Sequence, residues 1–213
     1  DADRDIVEQT KKDARVIRDR FRKSVDHHVQ RYISRSYPCI SLLNDTADAL
    51  EETMYYVLGH TGYKYEKAIP LTPKGQGNND DFSKSKTKQR QNQNIDSKVA
   101  TGYIPVEGDA MYMHAVVSKS KELFSELNEQ YNADLFVFLT QLEIKTNYKE
   151  CLDIANKIYR RSVMLHFSIY DKNGNLLAGS YATSYFPSDS NEMNTIIGEC
   201  FPQIAEYIAG ALP

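Results

Sequence analysis

Asp26, His27 and His28 stand in a row within the stretch KSVDHHVQRY, residues 23 to 32. An aspartate beside two histidines is a donor set with which a metallo-phosphoesterase could hold an ion and activate water. Their neighbours decide against that chemistry. Ile17, Phe21, Val25, Val29 and Tyr32 recur at spacings of four, four, four and three, which predicts one long amphipathic helix over residues 6 to 33. At about 100° per residue, His27 then points nearly opposite the apolar stripe, His28 sits at its edge, and Asp26 lies roughly 160° around from His28. Three adjacent helical residues cannot converge on one ion, since helical ligands need spacings of three or four, as in HExxH. The triplet reads as a solvated helix face.

The other chemical candidates are weaker. His60 follows Gly59, where a cation suits the C-terminal end of a helix dipole. His114 falls in an expected helix and His166 in an expected strand, both as packing residues at the core edge. Glu51 and Glu52 are adjacent on a helix and cannot face each other as an acid and base. No GxSxG, Walker-type or GxGxxG pattern occurs, and a serine or cysteine nucleophile has no positive support. Cys39, Cys151 and Cys200 show no metal-ligand spacing, so neither a metal nor another cofactor is expected. One disulfide with a free thiol, or three reduced thiols, are both compatible with them.

The elements around these residues follow from composition and pattern. At 213 residues, with 41% hydrophobic and 26% charged residues, the chain suits a single domain with its own core. A net charge of −3 gives no field for nucleic acid, which is not an expected partner. Fifteen tyrosines and eight phenylalanines without tryptophan point to tyrosine-rich sheet faces. No segment approaches the roughly 18 consecutive apolar residues of a membrane span. The charged start DADRDIVEQTKKDAR fits a cytosolic chain or one whose signal peptide is already removed.

Pro38 ends the first helix by about residue 36, CISLLN (39 to 44) reads as a short buried strand, and Asp45 or Thr46 caps a helix over ADALEETMYYVL that Gly59 stops. Residues 71 to 98 are nearly devoid of apolar side chains and read as a flexible polar insertion. Its Lys84, Lys86, Lys88 and Arg90 are candidate contacts for an anionic partner, with a solvated linker as the plainer reading. Over 108 to 131, Met113, Val116 or Val117, Leu123, Phe124 and Leu127 have broadly helical spacing. ADLFVFLTQLEIKT reads as a strand, and RRSVMLHFSIYD and NLLAGSYATSYF read as two more, joined by DKNGN with Asn173-Gly174 as the hairpin signal. A final helix is capped by Ser188 or Asp189 and carries Ile196, Ile197, Cys200, Ile204, Tyr207, Ile208 and Leu212, with Pro202 as a kink or restart. The class is α+β: a mixed or antiparallel sheet with a long C-terminal hairpin, and helices mainly on one face. Tyr170, Tyr181 and Tyr185 on that hairpin form either an exposed aromatic strip for a partner or, in part, a layer packed under a helix.

The run from KELFSELNEQYNADLFVFLTQLEI through SVMLHFSIYDKNGNLLAGS to a terminal amphipathic helix resembles a group of bacterial envelope domains. That group includes the curli secretion lipoprotein, the lipoprotein activator of penicillin-binding proteins and the amino-terminal domain of the Tol–Pal translocation protein. The resemblance covers roughly residues 12 to 60 and 108 to 212; the chain departs from it in lacking a strand before the first helix and in its long insertion. It implies a non-enzymatic accessory or assembly domain in the periplasm or at the outer membrane that binds proteins, copies of itself included. Membrane contact is then expected only through a removed signal or lipid anchor. The competing readings are a metal-dependent hydrolase or phosphoesterase and a cytosolic ligand-binding regulatory domain.

Overall fold

The computed structural model describes residues 2–45, 48–69 and 111–213. The insertion expected at 71 to 98, with Lys84, Lys86, Lys88 and Arg90, lies outside them. The expected first helix is two helices, α1 (Ala2–Thr10) and α2 (Ala14–Ile33). Lys11 takes the left-handed conformation at φ 54° and Asp13 caps α2 by accepting from the Arg15 amide at 2.7 Å. A helix stop and a helix start thus fall within three residues.

Helix α3 (Asp48–Gly59) leads into a two-stranded antiparallel ribbon, β1 (Thr61–Lys67) with β2 (Met111–Val117), in which Thr61 faces Val117 and Lys67 faces Met111. The helix expected from 108 to 131 therefore starts only at α4 (Ser120–Tyr131), after Lys119 at φ 52°. MYMHAVV is a strand because its aromatic and β-branched residues favour extended backbone, which outweighed a loose helical spacing. The main sheet follows in chain order, β3 (Leu135–Asp153), β4 (Ile158–Asp171) and β5 (Leu176–Pro187), all antiparallel. The Asn173-Gly174 turn forms as expected, with Gly174 at φ 81° and Asp171 accepting from the Asn173 and Asn175 amides at 2.9 and 2.8 Å.

Helix α5 (Met193–Gly210) runs unbroken through Pro202 and starts after Glu192, not after Ser188 or Asp189. Ser188 is used elsewhere: its amide donates to the Tyr159 carbonyl at 2.8 Å and its hydroxyl accepts from the Tyr159 amide at 2.9 Å. CISLLN is a turn, not a strand, and is tied to α2 as described below.

The fold is α+β. Alternation along β4 puts Val163, Leu165, Phe167 and Ile169 on an inner face that packs with α1, α2 and α5, where Phe21 and Phe201 meet edge to face at 5.7 Å. The outer face carries Phe136, Phe138 and Tyr170 against Phe124 of α4, and beyond them the β1–β2 ribbon crosses the sheet. Among the described residues, no helix is long and apolar enough to cross a membrane.

Candidate functional site

The outer face of the sheet gathers the polar side chains that the core cannot hold, and most of them serve one strand edge. Strand β2 uses one edge for β1; its other edge meets side chains of the main sheet instead of a neighbouring strand. The Met113 amide donates to His166 Nδ1 at 2.9 Å, and the Thr140 hydroxyl donates to the Met113 carbonyl at 2.6 Å. Two residues on, the Ala115 amide donates to Ser168 Oγ at 3.2 Å and the Tyr170 hydroxyl donates to the Ala115 carbonyl at 2.6 Å. Four side chains from β3 and β4 thereby satisfy backbone groups that burial would otherwise leave unpaired. His166, Ser168 and Tyr170 can do this because alternate residues of β4 share a face.

A second layer fixes these groups. Tyr170 gives its proton to Ala115, so at 3.2 Å it accepts from His114 Nε2. His114 Nδ1 is then the acceptor, 2.8 Å from the Tyr112 hydroxyl and 3.2 Å from Ser168 Oγ. Burial holds the His114 and His166 imidazoles below their ordinary range, opposed in part by the Glu66 and Glu143 carboxylates respectively. Burial likewise pushes the Tyr112 and Tyr170 phenols up to about 12. The hydroxyl end of Tyr112 presses on Gly179 of β5: a Cβ there would fall on its hydroxyl and 2.8 Å from its Cε2. Only a residue without a side chain permits that approach.

A Ser168–His114 contact of 3.2 Å is a distance at which a nucleophile and its base could sit. Ser168 is fully buried beneath β2, however, and its oxygen already accepts from Ala115. His166 spends Nδ1 on an amide, so its neutral ring carries the proton on Nε2, directed toward Glu143 Oε2 at 4.0 Å. With neither imidazole presenting a free lone pair to solvent, the cluster's chemistry is to clamp the ribbon. The nearby Gln141 amide donates to Glu143 at 2.6 Å, the Tyr65 hydroxyl donates to Gln141 at 3.0 Å, and Lys145 ion-pairs with Glu143.

Asp26, His27 and His28 do not converge on anything, but they are not a plain solvated face. Asp26 accepts from the Ser41 hydroxyl and from Asn44 Nδ2 at 2.6 Å, tying residues 41–44 onto α2; burial raises its carboxyl despite those bonds. His27 is exposed, whereas His28 is half-buried with its ring edge-on to Phe201 at 6.3 Å. His60 sits at the end of α3 with Nδ1 2.9 Å from the Tyr56 carbonyl, as its position after Gly59 suggests. Cys39, Cys151 and Cys200 are free thiols, none of them in a disulfide. Among the described residues, no group of three His, Cys, Asp or Glu is placed to hold a metal ion.

The three hairpin tyrosines do not form one strip. Tyr170 is buried in the clamp, Tyr181 is half-buried against the His166 ring at 5.5 Å, and Tyr185 alone is open, 50% exposed with the Arg160 guanidinium 5.6 Å from its ring. Sequence reasoning missed a neighbouring group, the far end of the β3–β4 hairpin, where Tyr148, Leu152 and Ile154 are 66%, 49% and 86% exposed. Almost no signal in the sequence marks it, because the strand-like pattern fades after Thr146 and resumes only at Arg160. No protein-family model, curated protein or solved structure matches the chain.

Proposed function

We propose that this chain is a protein-binding domain of the cell envelope, an accessory or assembly component that performs no catalysis and takes a protein partner on the far end of its β3–β4 hairpin. The observation that carries the reading is the exposure of four large apolar side chains near this end: Tyr148 and Leu152 on the irregular last stretch of β3, Ile154 in the turn that follows, and Tyr185 on β5, paired with Ser162. Burying exposed aromatic and apolar side chains is what anchors a protein interface. Arg160, ion-paired with Glu150 at 2.8 Å, supplies a charged rim. The envelope setting rests on the resemblance of the helix, strand, hairpin and helix order, and fold-level analogy supports a setting more weakly than a site supports a role.

The test is a variant with Leu152→Ser, Ile154→Ser and Tyr185→Ser, three exposed changes that leave the core alone. Co-purification of a defined partner with the unaltered chain and its loss from the variant, at unchanged circular dichroism, is the expected result; equal recovery overturns the proposal. Metal-dependent phosphoester turnover that falls with His27→Ala or His28→Ala would put the hydrolase reading in its place.

A further inference from the structure

The edge of β3 carries an inference that names one partner and so extends the protein-binding reading. Among the described residues, β3 pairs with β4 alone, leaving its outer edge without a strand. The β5 edge differs, since Ile69 donates to the Gly179 carbonyl there at 2.8 Å. The inner side chains of β3 are also under-covered: Val137, Leu139, Leu142 and Ile144 are only partly buried, whereas Val163, Leu165, Phe167 and Ile169 beside them on β4 are 0–2% exposed. An open backbone edge next to half-covered apolar side chains is a template for another strand.

Which strand fits is written in the edge itself. Strand β3 is irregular between Leu139 and Gln141 and again between Asn147 and Cys151, so its longest regular stretch is Gln141 to Asn147, the sequence QLEIKTN, against the shorter Leu135 to Leu139. The midpoint of that stretch is Ile144. We infer that two copies of this chain pair antiparallel along this stretch about a two-fold axis at Ile144, joining two three-stranded sheets into one of six. In that register Ile144 lies against the partner's Ile144, and Glu143 lies opposite the partner's Lys145 while Lys145 lies opposite the partner's Glu143. Leu142 meets the partner's Thr146, and Gln141 meets the partner's Asn147. Both members of each pair share a face, because opposed positions sum to an even number.

The central pair is apolar, the pairs beside it are opposite in charge, the outermost are amide with amide, and Leu142 lies against a β-branched threonine; no pair sets like charges together. Moving the axis by one residue along the strand, to Glu143 or Lys145, would set two like charges against each other on the axis, and moving it further to Leu142 would give up the Glu143–Lys145 pairs and set Lys145 against Leu139, so Ile144 is the axis that keeps both charge pairs. The irregularities at both ends limit pairing to seven residues, and the two-fold closes on itself, giving a dimer rather than a filament. The half-covered Leu142 and Ile144 gain neighbours from the second copy, which is where the association energy arises.

Charge reversal tests it by sedimentation of the intact chain at tens of micromolar. The unaltered chain should sediment at twice its 24.4 kDa mass. Lys145→Glu and Glu143→Lys should each weaken self-association at least tenfold by placing like charges in opposition. Mixed in equal amounts, the two variants should dimerise again, since each supplies what the other lacks; that rescue also shows that both still fold. A monomeric unaltered chain, with its edge left for a different protein, overturns the inference, as do single variants that stay dimeric or a mixture that stays monomeric. A monomer that still loses a partner with the Leu152, Ile154 and Tyr185 changes would end only this inference, and a dimer that binds no other protein would end only the earlier proposal.

Discussion

Gly179→Ala is the perturbation whose size the structure specifies best. The added methyl would fall on the Tyr112 hydroxyl and sit 2.8 Å from Cε2, where ordinary carbon contacts begin near 3.5 Å. Tyr112 cannot swing aside cheaply. Its side chain is fully buried, its hydroxyl is held 2.8 Å from His114 Nδ1, and the strand behind it is fixed through Met113 and Ala115. The ribbon must therefore lift from β5, straining the Ile69–Gly179 hydrogen bond and the Ala115 pair together. Overpacking of this kind costs about 1–3 kcal/mol, and disturbing a buried hydrogen bond adds to it, so the expected loss is at the top of that range. For a chain of this size each kcal/mol moves Tm by roughly 2–4 °C, which predicts a fall of about 6–12 °C in thermal unfolding followed by circular dichroism. Combining it with Tyr112→Ala should cost less than the sum of the two single changes, because the second removes the obstacle. A Gly179→Ala protein within 0.5 kcal/mol of the original would refute the close approach and with it the seating of the ribbon.

Tyr170→Phe should cost about 1–3 kcal/mol by leaving the Ala115 carbonyl and His114 Nε2 unpaired, while Tyr185→Phe on the exposed strand changes stability by less than about 0.5 kcal/mol; chemical denaturation of both separates the buried from the open tyrosine. Acidification should destabilise the fold. His28, His114 and His166 all have folded values held below 6.5, so the unfolded chain binds protons more readily. Their contribution is complete above about pH 6.5 and is lost as pH falls through the folded values, with the buried His114 and His166 contributing more than the half-buried His28. Urea midpoints measured from pH 7.5 to 5.5 should fall, and a flat profile contradicts the assignment. Asp26→Ala should release residues 41–44 from α2, seen as faster hydrogen exchange at the Asn44 amide, at a cost of about 1–2 kcal/mol.

The sequence was legible where one signal dominated. The spacing from Ile17 to Val29 marked the buried face of α2, and Asn173-Gly174 marked the β4–β5 turn, because apolar period and turn chemistry act locally. It misled where a tertiary partner outweighed local pattern. MYMHAVV resembled a helix start because Met, His and Ala are compatible with one, yet the strand is stabilised by His166 and Ser168, more than 50 positions away. Ser188 looked like a helix cap but closes the sheet on Tyr159, and Asp26 looked solvated until the turn after α2 folded back onto it. The clamp itself left only a faint trace: polar residues at His166, Ser168 and Tyr170, spaced by two within a strand buried on both faces. The exposed end of the β3–β4 hairpin left almost none, since exposure depends on where the helices end.

The partner-binding role of that hairpin is tested most directly by placing a photo-crosslinking amino acid at Ile154 and, as a control, at the exposed Arg22 on α2. The expected result is a discrete adduct with a second protein from position 154, absent from position 22 and abolished by Tyr185→Ser. Adducts of equal yield and pattern from both positions, or none from 154, would contradict it.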